Sequence, residues 1–271
     1  MYSRRKIIKI LGIGSVAAAA PGFFNDLKAT ERNKNPLGKQ HIITLSFDDG
    51  FKKSCLLIAK IFEKHNLSAC LNVLATGHLK SFVSPDPYQI TEKGDFGLWN
   101  ELKARGHEIM MHGYKHERLH ELSFEEGKGL ILQCIDVFSR ELKDFKPRES
   151  IFNFPNNRST PELEAWLPSQ VKAFRTRGSG INPLPYKGQV KLTTTGYGPD
   201  NCEDHLNAEI SKLLAQPSGW LLYNVHGLDD EGWGPLGSEY LDQLLYRLEV
   251  IDSIALLPAG KVLKEFTNNI Y

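Results

Sequence analysis

The sequence predicts an α/β protein built on parallel strands, with a functional face like that of a barrel. Apolar runs of strand length alternate with segments of helical periodicity, which is typical of parallel strands joined by crossover helices. Polar residues that could carry chemistry directly follow several strands, and the carboxyl ends of parallel strands share one face. The chain has 271 residues, of which 41% are hydrophobic, so it can bury one large core.

The predicted elements follow one another in regular order. The first strand is apolar throughout, the helix after it carries apolar residues at helical spacing, and Gly106 ends the second helix. The predicted strands cover residues 41–47, 69–74, 107–111, 150–154, 172–175, 190–194, 220–225 and 254–257. The predicted helices cover residues 53–65, 91–104, 123–141, 160–167, 204–214 and 240–251.

Two pairs of polar residues stand after predicted strands. Asp48 and Asp49 precede Gly50, and His112 and His116 are four residues apart. Taken alone, the first pair also suits an ordinary turn and the second an exposed pair on one face. Together they supply one oxygen and two nitrogen ligands for a divalent metal with a position open for water, and a second carboxylate to take the proton of that water. The conjunction predicts a metal-dependent hydrolase.

Three segments resemble motifs of the polysaccharide deacetylases, over roughly residues 40–265. The run from Thr44 to Gly50 matches the T-F-D-D-G motif of that family. The run 106–116 matches its H-[ST]-x-x-H motif with the preceding G-H-E-[IL], although Gly113 stands where Ser or Thr is usual. The apolar run 220–226, which ends in His226, matches the motif that ends in Leu-His or Val-His.

The resemblance implies a fold, a reaction and a set of roles. The fold is a distorted, incomplete (β/α) barrel of about seven parallel strands. The reaction is removal of acetyl groups from a carbohydrate, with N-acetyl favoured over O-acetyl. Asp48 would be the general base and His226 the general acid, and Asp49, His112 and His116 would bind one divalent ion. Zinc suits oxygen and imidazole ligands best, and cobalt, nickel and iron are alternatives.

The third family motif, R-x-P-Y, is changed in this chain. Pro155 is kept, but Asn153 stands in place of the Arg that pairs with the catalytic Asp in the family, and Asn156 in place of the Tyr. By the resemblance, the backbone amide of Asn156 helps to form the oxyanion hole. The missing charge could come instead from one of three nearby arginines, Arg158, Arg175 or Arg177.

The fourth motif, which supplies an Asp to orient the acid His, has no clear counterpart between residues 175 and 220. This absence favours an alternative, a catalytically silent relative that binds carbohydrate and keeps a structural metal. Asp229 and Asp230 read as solvated turn residues, or one of them could orient His226. Trp233, in the same stretch, either stacks on a sugar ring or packs this loop against the barrel.

The first 29 residues predict an export signal and leader, followed by a catalytic domain over residues 30–271. Arg4 and Arg5 lie in a basic start that precedes a short uncharged run, which resembles a twin-arginine signal; an ordinary secretory signal is the alternative. We therefore expect a periplasmic or secreted protein without a stable membrane anchor after processing.

Composition agrees with that expectation. The formal net charge is +1, and without the four basic residues of the leader 29 basic residues face 32 acidic ones, a balance of −3. A mildly acidic surface argues against nucleic acid or anionic membranes as partners. The expected partner, a carbohydrate substrate, is what the family resemblance implies. The four cysteines show no CxxC spacing, so we expect buried free thiols, with one disulfide as the alternative. The oligomeric state stays open.

Overall fold

A computed structural model describes residues 38–83 and 91–268 of the chain. The predicted export signal and leader, residues 1–29, lie outside the described residues, so processing and location stay predictions. Within the described part, no helix is long and apolar enough to cross a membrane. All four cysteines are buried and free, as expected.

The core of the fold is a nearly closed sheet of seven parallel strands, which confirms the predicted barrel. The strands are β1 (His41–Phe47), β2 (Cys70–Val73), β3 (Glu108–Met111), β4 (Ile151–Asn153), β5 (Ala173–Arg177), β6 (Ile181–Asn182), β7 (Lys191–Thr194), β8 (Gly219–Val225) and β9 (Ile254–Leu256). The order of neighbours in the sheet is β8-β1-β2-β3-β4-β5-β7, and a parallel bridge between Thr195 and Tyr223 links the end of β7 to β8. The short β6 lies antiparallel to β8, and β9 pairs in parallel with the start of β1.

The helices connect these strands and cover the outside of the sheet. They are α1 (Lys52–Lys64), α2 (Phe96–Ala104), α3 (Phe124–Glu141), α4 (Pro161–Trp166), α5 (Glu203–Leu214), α6 (Ser238–Glu249) and α7 (Ala259–Asn268). Helix α3 starts after Ser123, whose hydroxyl and the Glu126 carboxylate form a capping box. Helix α2 starts only after Asp95, whose side chain accepts a hydrogen bond from the amide of Leu98, so the predicted start at residue 91 was wrong. Strand β6 and helix α7 were not predicted.

Side chains alternate along the strands, so each strand presents one set outward to the helices and one set into the barrel. At the amino ends of the strands the inward set is apolar, and α7 packs against it. We call this group the amino-end cluster; its members are Ile42, Cys70, Met110, Ile151, Ala173, Leu192, Trp220, Leu222, Ala259, Val262, Leu263 and Phe266. Because α7 supplies the last four, it fills the amino-end mouth of the barrel.

At the carboxyl ends of the same strands the inward set is polar. We call this group the carboxyl-end cluster; its members are Ser46, Asp48, Asn72, Asn153, Arg175 and Asn224, all buried. They are joined to one another by hydrogen bonds between side chains. The polar residues therefore meet at the face where the sequence predicts chemistry.

Candidate active site

Asp49, His112 and His116 come together as a buried group of ligand atoms. The Oδ1 of Asp49 lies 3.3 Å from Nε2 of His112 and 3.4 Å from Nε2 of His116. That oxygen is buried and, in the described part of the chain, has no hydrogen-bond partner. Ligands bound tetrahedrally at the 2.0–2.1 Å typical of zinc lie about 3.4 Å apart. The orphaned oxygen and the spacing of the three atoms fit a divalent metal.

The backbone around this group is held in unusual conformations. Asp49 has a φ of 74° and His116 a φ of 60°, in the left-handed region that side chains other than glycine rarely adopt. Such strain concentrates at functional sites, where the surrounding structure imposes it. Gly113 has a φ of 90°, and a Cβ there would lie 2.7 Å from Cγ of Pro155. A side chain at position 113 would therefore need both a left-handed backbone conformation and a shift of Pro155.

The orientation of His112 is fixed by the strand next to it. Its Nδ1 lies 3.0 Å from the backbone oxygen of Asn153, an acceptor only, so Nδ1 carries the hydrogen. The lone pair of Nε2 is then free to face the Asp49 oxygen, which is the arrangement typical of metal-binding histidines.

Asp48 lies beside the ligand group and is paired with Arg175. One guanidinium nitrogen of Arg175 donates to Oδ1 at 2.9 Å and the other to Oδ2 at 2.6 Å, a bidentate pair in which both side chains are buried. The amide of Asn72 donates to Oδ1 at 2.7 Å and that of Asn224 to Oδ2 at 3.3 Å. Of the three candidate arginines, Arg175 is therefore the one that supplies the charge missing from the third motif.

The charged groups around Asp48 and Asp49 decide the pKa values of the two carboxylates. Burial by itself raises the pKa of Asp48, but the Arg175 charge and its hydrogen bonds, with His112 nearby, outweigh burial and hold that pKa below its ordinary value. The pKa of Asp49 is lowered against burial chiefly by His116 and His112. Both carboxylates are therefore ionised at neutral pH.

His226 directly follows β8 and lines the cavity. Its Nδ1 is buried and has no hydrogen-bond partner among the described residues. Asp229 does not orient it, since its carboxylate accepts from the amide of Ser238; Asp230 pairs with Lys53 on the surface. The contacts of Asp229 and Asp230 agree with their interpretation as turn residues, and not with the alternative that one of them orients His226.

Trp233 lies at the rim, with its ring 5.5 Å from the His226 ring and nearly perpendicular to it. It is half-buried and also contacts Gly198, so it packs its loop while keeping one edge at the cavity. Trp99, by contrast, is buried in the core.

All seven residues singled out from the sequence line one cavity of about 550 Å³. They are Asp48, Asp49, His112, His116, Asn156, His226 and Trp233. Asn156 is exposed at the rim in a left-handed conformation, with a φ of 55°. The arrangement joins a metal-type ligand set, an ionised carboxylate and an imidazole within one opening.

Sequence reasoning missed the amides that hold Asp48, namely Asn72 and Asn224, and did not choose among the arginines. A signal for them exists in the sequence. Asn72 and Asn224 are each a polar residue inside an otherwise apolar strand-like run, at a position where burial needs a polar partner. Arg175 lies in a strand that also contains Thr176 and Arg177, so its signal is weaker. Asn153, in place of the family Arg, donates to Oδ1 of Asn72 at 2.9 Å and so supports Asp48 indirectly.

The sequence matches the family described as polysaccharide deacetylase over residues 35–182. Since this match covers more than half of the chain, the protein belongs to the polysaccharide deacetylase family. Among curated proteins, none matches the sequence.

Solved structures share the fold at low sequence identity. A Mycobacterium smegmatis protein, provisionally described as a polysaccharide deacetylase, has a TM-score of 0.65 at 13% identity, over 94% of this chain and 96% of its own. The Puue allantoinase has a TM-score of 0.62 at 10% identity, over 92% and 99%. A family 4 acetyl xylan esterase from Clostridium thermocellum, solved with a cobalt ion, has a TM-score of 0.55 at 16% identity, over 82% and 90%. These three proteins are described by different activities, so the fold alone does not decide the substrate.

Proposed function

We propose that this protein is a metal-dependent hydrolase that removes acetyl groups from a carbohydrate polymer or oligosaccharide. N-acetyl groups are the favoured substrates, which makes the reaction a hydrolysis of carbon–nitrogen bonds other than peptide bonds; O-acetyl groups are the second choice. One observation carries the proposal. The Asp49–His112–His116 group opens into the same cavity as Asp48, which Arg175 keeps ionised.

Asp49, His112 and His116 would hold one divalent ion, with zinc as first choice and cobalt, nickel or iron as alternatives. Such an ion, when bound, polarises an acyl carbonyl and makes a water more acidic. The cobalt ion of the Clostridium thermocellum esterase supports a divalent metal in this family.

Asp48 would accept the proton of the attacking water. A base must be ionised and must face the reacting atoms, and Asp48 meets both conditions: its pKa is held low, and its Oδ2 lies 3.8 Å from Nε2 of His112. The hydrogen bonds from Arg175 fix the direction of the carboxylate, so little reorganisation is needed before proton transfer.

His226, which also lines the cavity, would protonate the departing group. An amine leaves poorly unless it is protonated, so this step matters more for N-acetyl than for O-acetyl substrates. The amide of Asn156 would stabilise the developing oxyanion, and Trp233 would offer an apolar face to a sugar ring.

Acetate release tests the proposal. Acetylated chitooligosaccharides, peptidoglycan fragments and acetylated xylan are incubated with the metal-loaded protein. We expect at least one substrate to release acetate, and Asp48→Asn to lower the rate by about 10²–10⁴-fold because an amide cannot accept the proton. Because Asp48→Asn also leaves Arg175 unpaired, its folding is checked by circular dichroism and its metal content is measured beside the rate. No acetate from any substrate with wild type would contradict the proposal.

Metal content tests the ligand set. We expect about one divalent ion per chain in wild type and its loss in His112→Ala, since removal of one of three ligands leaves a weak site. His205→Ala is the matched control, because His205 stacks on Tyr197 away from the ligand group. If elemental analysis finds the same metal content in wild type and His112→Ala, His112 is not a metal ligand and the proposed ligand set is wrong.

A catalytically silent carbohydrate-binding protein with a structural metal is the second candidate. The observation in its favour is that Nδ1 of His226 has no acidic partner among the described residues. An imidazole without such a partner is less well oriented for proton transfer. Metal-loaded wild type that binds acetylated glycan without releasing acetate would favour this candidate.

A further inference from the structure

One flank of the cavity is cationic, and the proposed reaction does not use it. Arg118, Arg158 and Arg177 line the cavity from segments that follow β3 and β4 and from the end of β5. Glu121 lines it too and lies 3.5 Å from a guanidinium nitrogen of Arg118. Across residues 38–83 and 91–268, neither Arg158 nor Arg177 forms an ion pair; Arg158 contacts only the His120 ring nitrogen, at 3.3 Å. This flank of the cavity therefore carries three arginine charges and one carboxylate charge, that of Glu121.

This imbalance is local. The whole chain is nearly neutral, with 33 basic and 32 acidic residues, so a random surface segment would carry about as many acids as bases. The aspartates on the cavity floor do not neutralise the flank either. Asp48 is already paired with Arg175, and Asp49 faces the two metal-type histidines. Unpaired arginines at a cavity wall raise the local concentration of anions and favour their binding.

The chemistry of arginine narrows the class of ligand. A guanidinium presents a planar fork of donors that matches carboxylate, sulfate and phosphate oxygens in pairs. A neutral glycan offers only hydroxyls and amides, which do not need three such forks. Asn157 lines the cavity between the flank and the floor, and its Oδ1 is buried without a partner among the described residues, an acceptor suited to a sugar hydroxyl.

The flank lies away from the aromatic side of the cavity. In the ring of strands β8 is next to β1 and close to β7, whereas β3 and β4 lie across the barrel from it. His226 and Trp233 follow β8, whereas Arg118 follows β3 and Arg158 follows β4. Arg177 ends β5, two strands from β8 by way of β7. A glycan that crosses the ligand group would therefore meet Trp233 with one part and Arg118 and Arg158 with another.

We propose that the substrate is an anionic glycan, in which a carboxylate, sulfate or phosphate group near the acetylated sugar binds at Arg118, Arg158 and Arg177. That this glycan is the substrate rests on the proposed deacetylase function. Binding of an anionic glycan at the three arginines does not depend on that function.

Binding to matched oligosaccharides tests the flank without turnover. Three probes share one backbone that carries N-acetyl groups: one has uronate carboxylates, one has those carboxylates reduced to alcohols, and one is the reduced form with sulfate added. Dissociation constants are measured by calorimetry at low and high salt. We expect wild type to bind the two charged probes about tenfold more tightly than the uncharged one at low salt, and the preference to shrink at high salt. The stronger of the two charged probes identifies the anion.

The variant Arg158→Gln/Arg177→Gln should lose most of this preference, about a tenfold change. Arg247→Gln is the control, since Arg247 is an exposed arginine on α6 outside the cavity. Both changes remove surface charge without burying a polar group, and circular dichroism verifies folding. The proposal is overturned if wild type binds no charged probe more tightly than the uncharged one, including failure to bind any, or if the double variant keeps the preference. Absence of acetate release with the preference intact would count against the deacetylase function alone.

Discussion

The amino-end and carboxyl-end clusters fill the same barrel and differ in polarity, energetics and function. Neighbouring inward positions of one strand belong to opposite clusters: Cys70 is followed two residues later by Asn72, and Ala173 by Arg175. At the amino end, hydrocarbon packs on hydrocarbon and α7 closes the barrel. At the carboxyl end, an ion pair and several amides are buried together.

The two clusters contribute differently to stability and to function. Apolar burial stabilises at about 25 cal/mol per Å², so the amino-end cluster contributes to folding directly. Burying Asp48 and Arg175 costs desolvation that only their close pairing offsets, so the carboxyl-end cluster adds little net stability. What it provides is an ionised carboxylate with a fixed direction next to a group of metal-type ligands.

The largest effect is expected from breaking the ion pair. Arg175→Leu leaves the Asp48 charge buried without a partner, and the free energy of unfolding should fall by about 3–5 kcal/mol. Adding Asp48→Asn to Arg175→Leu should restore part of the loss, because no charge then remains buried. Urea unfolding with a chelator present measures both. Additive losses in the double variant would mean that the two side chains do not act as a pair.

The pH dependence of this loss has a definite sign. The folded pKa of Asp48 lies below its ordinary value of 3.8, so the pair contributes stability above about pH 4 that disappears as pH falls through the folded pKa. In Arg175→Leu, burial without the arginine raises the pKa of Asp48, so the variant regains stability by protonation at a higher pH than wild type. The gap between wild type and Arg175→Leu should therefore be largest at neutral pH and shrink steadily as the pH falls toward and below 4. A gap that widens on acidification would contradict this assignment of charge.

A smaller effect is expected at the amino end. Leu263→Ala leaves a cavity between α7 and the barrel, which should lower the free energy of unfolding by about 3 kcal/mol. Leu263→Met keeps most of the volume and should cost less than about 1.5 kcal/mol. Because this cluster is remote from the ligand group, the affinity for zinc, measured by titration on the folded protein, should not change. A weaker zinc affinity would show that the two clusters are coupled.

The smallest loss of stability is expected at Glu108, at the amino end of β3, where α7 begins. The carboxylate of Glu108 accepts hydrogen bonds from the amides of Gly260 and Lys261, both at 3.0 Å, in the first turn of α7. Glu108→Gln keeps one acceptor and removes the negative charge near the helix start, so we expect a loss of about 1 kcal/mol. Thermal unfolding against Glu149→Gln, a surface control, measures it. No difference between the two variants would mean that the charge at α7 is not needed.

Much of the fold could be read from the sequence because strands and helices leave local periodic patterns. The first predicted strand, residues 41–47, coincides with β1, and the alternation of elements predicted the parallel sheet. Strand β6 escaped because two residues carry no periodicity. Helix α7 escaped although Val262, Leu263 and Phe266 have helical spacing, since what they pack against is visible only in three dimensions.

The sequence by itself determined the ligand set and the face on which it lies. Asp49 is the second residue after β1, and His112 directly follows β3. The carboxyl ends of parallel strands meet at one edge, so local motifs were enough to predict this candidate ligand group. The choice of Arg175 over Arg158 and Arg177 was made by the tertiary structure. Arg175 reaches Asp48 across 127 residues of sequence because both face inward at the carboxyl-end cluster, whereas the other two stand at the rim. The partner of Asp48 depends on strand order and side-chain direction together, and neither can be predicted from the residues next to Asp48 in the sequence.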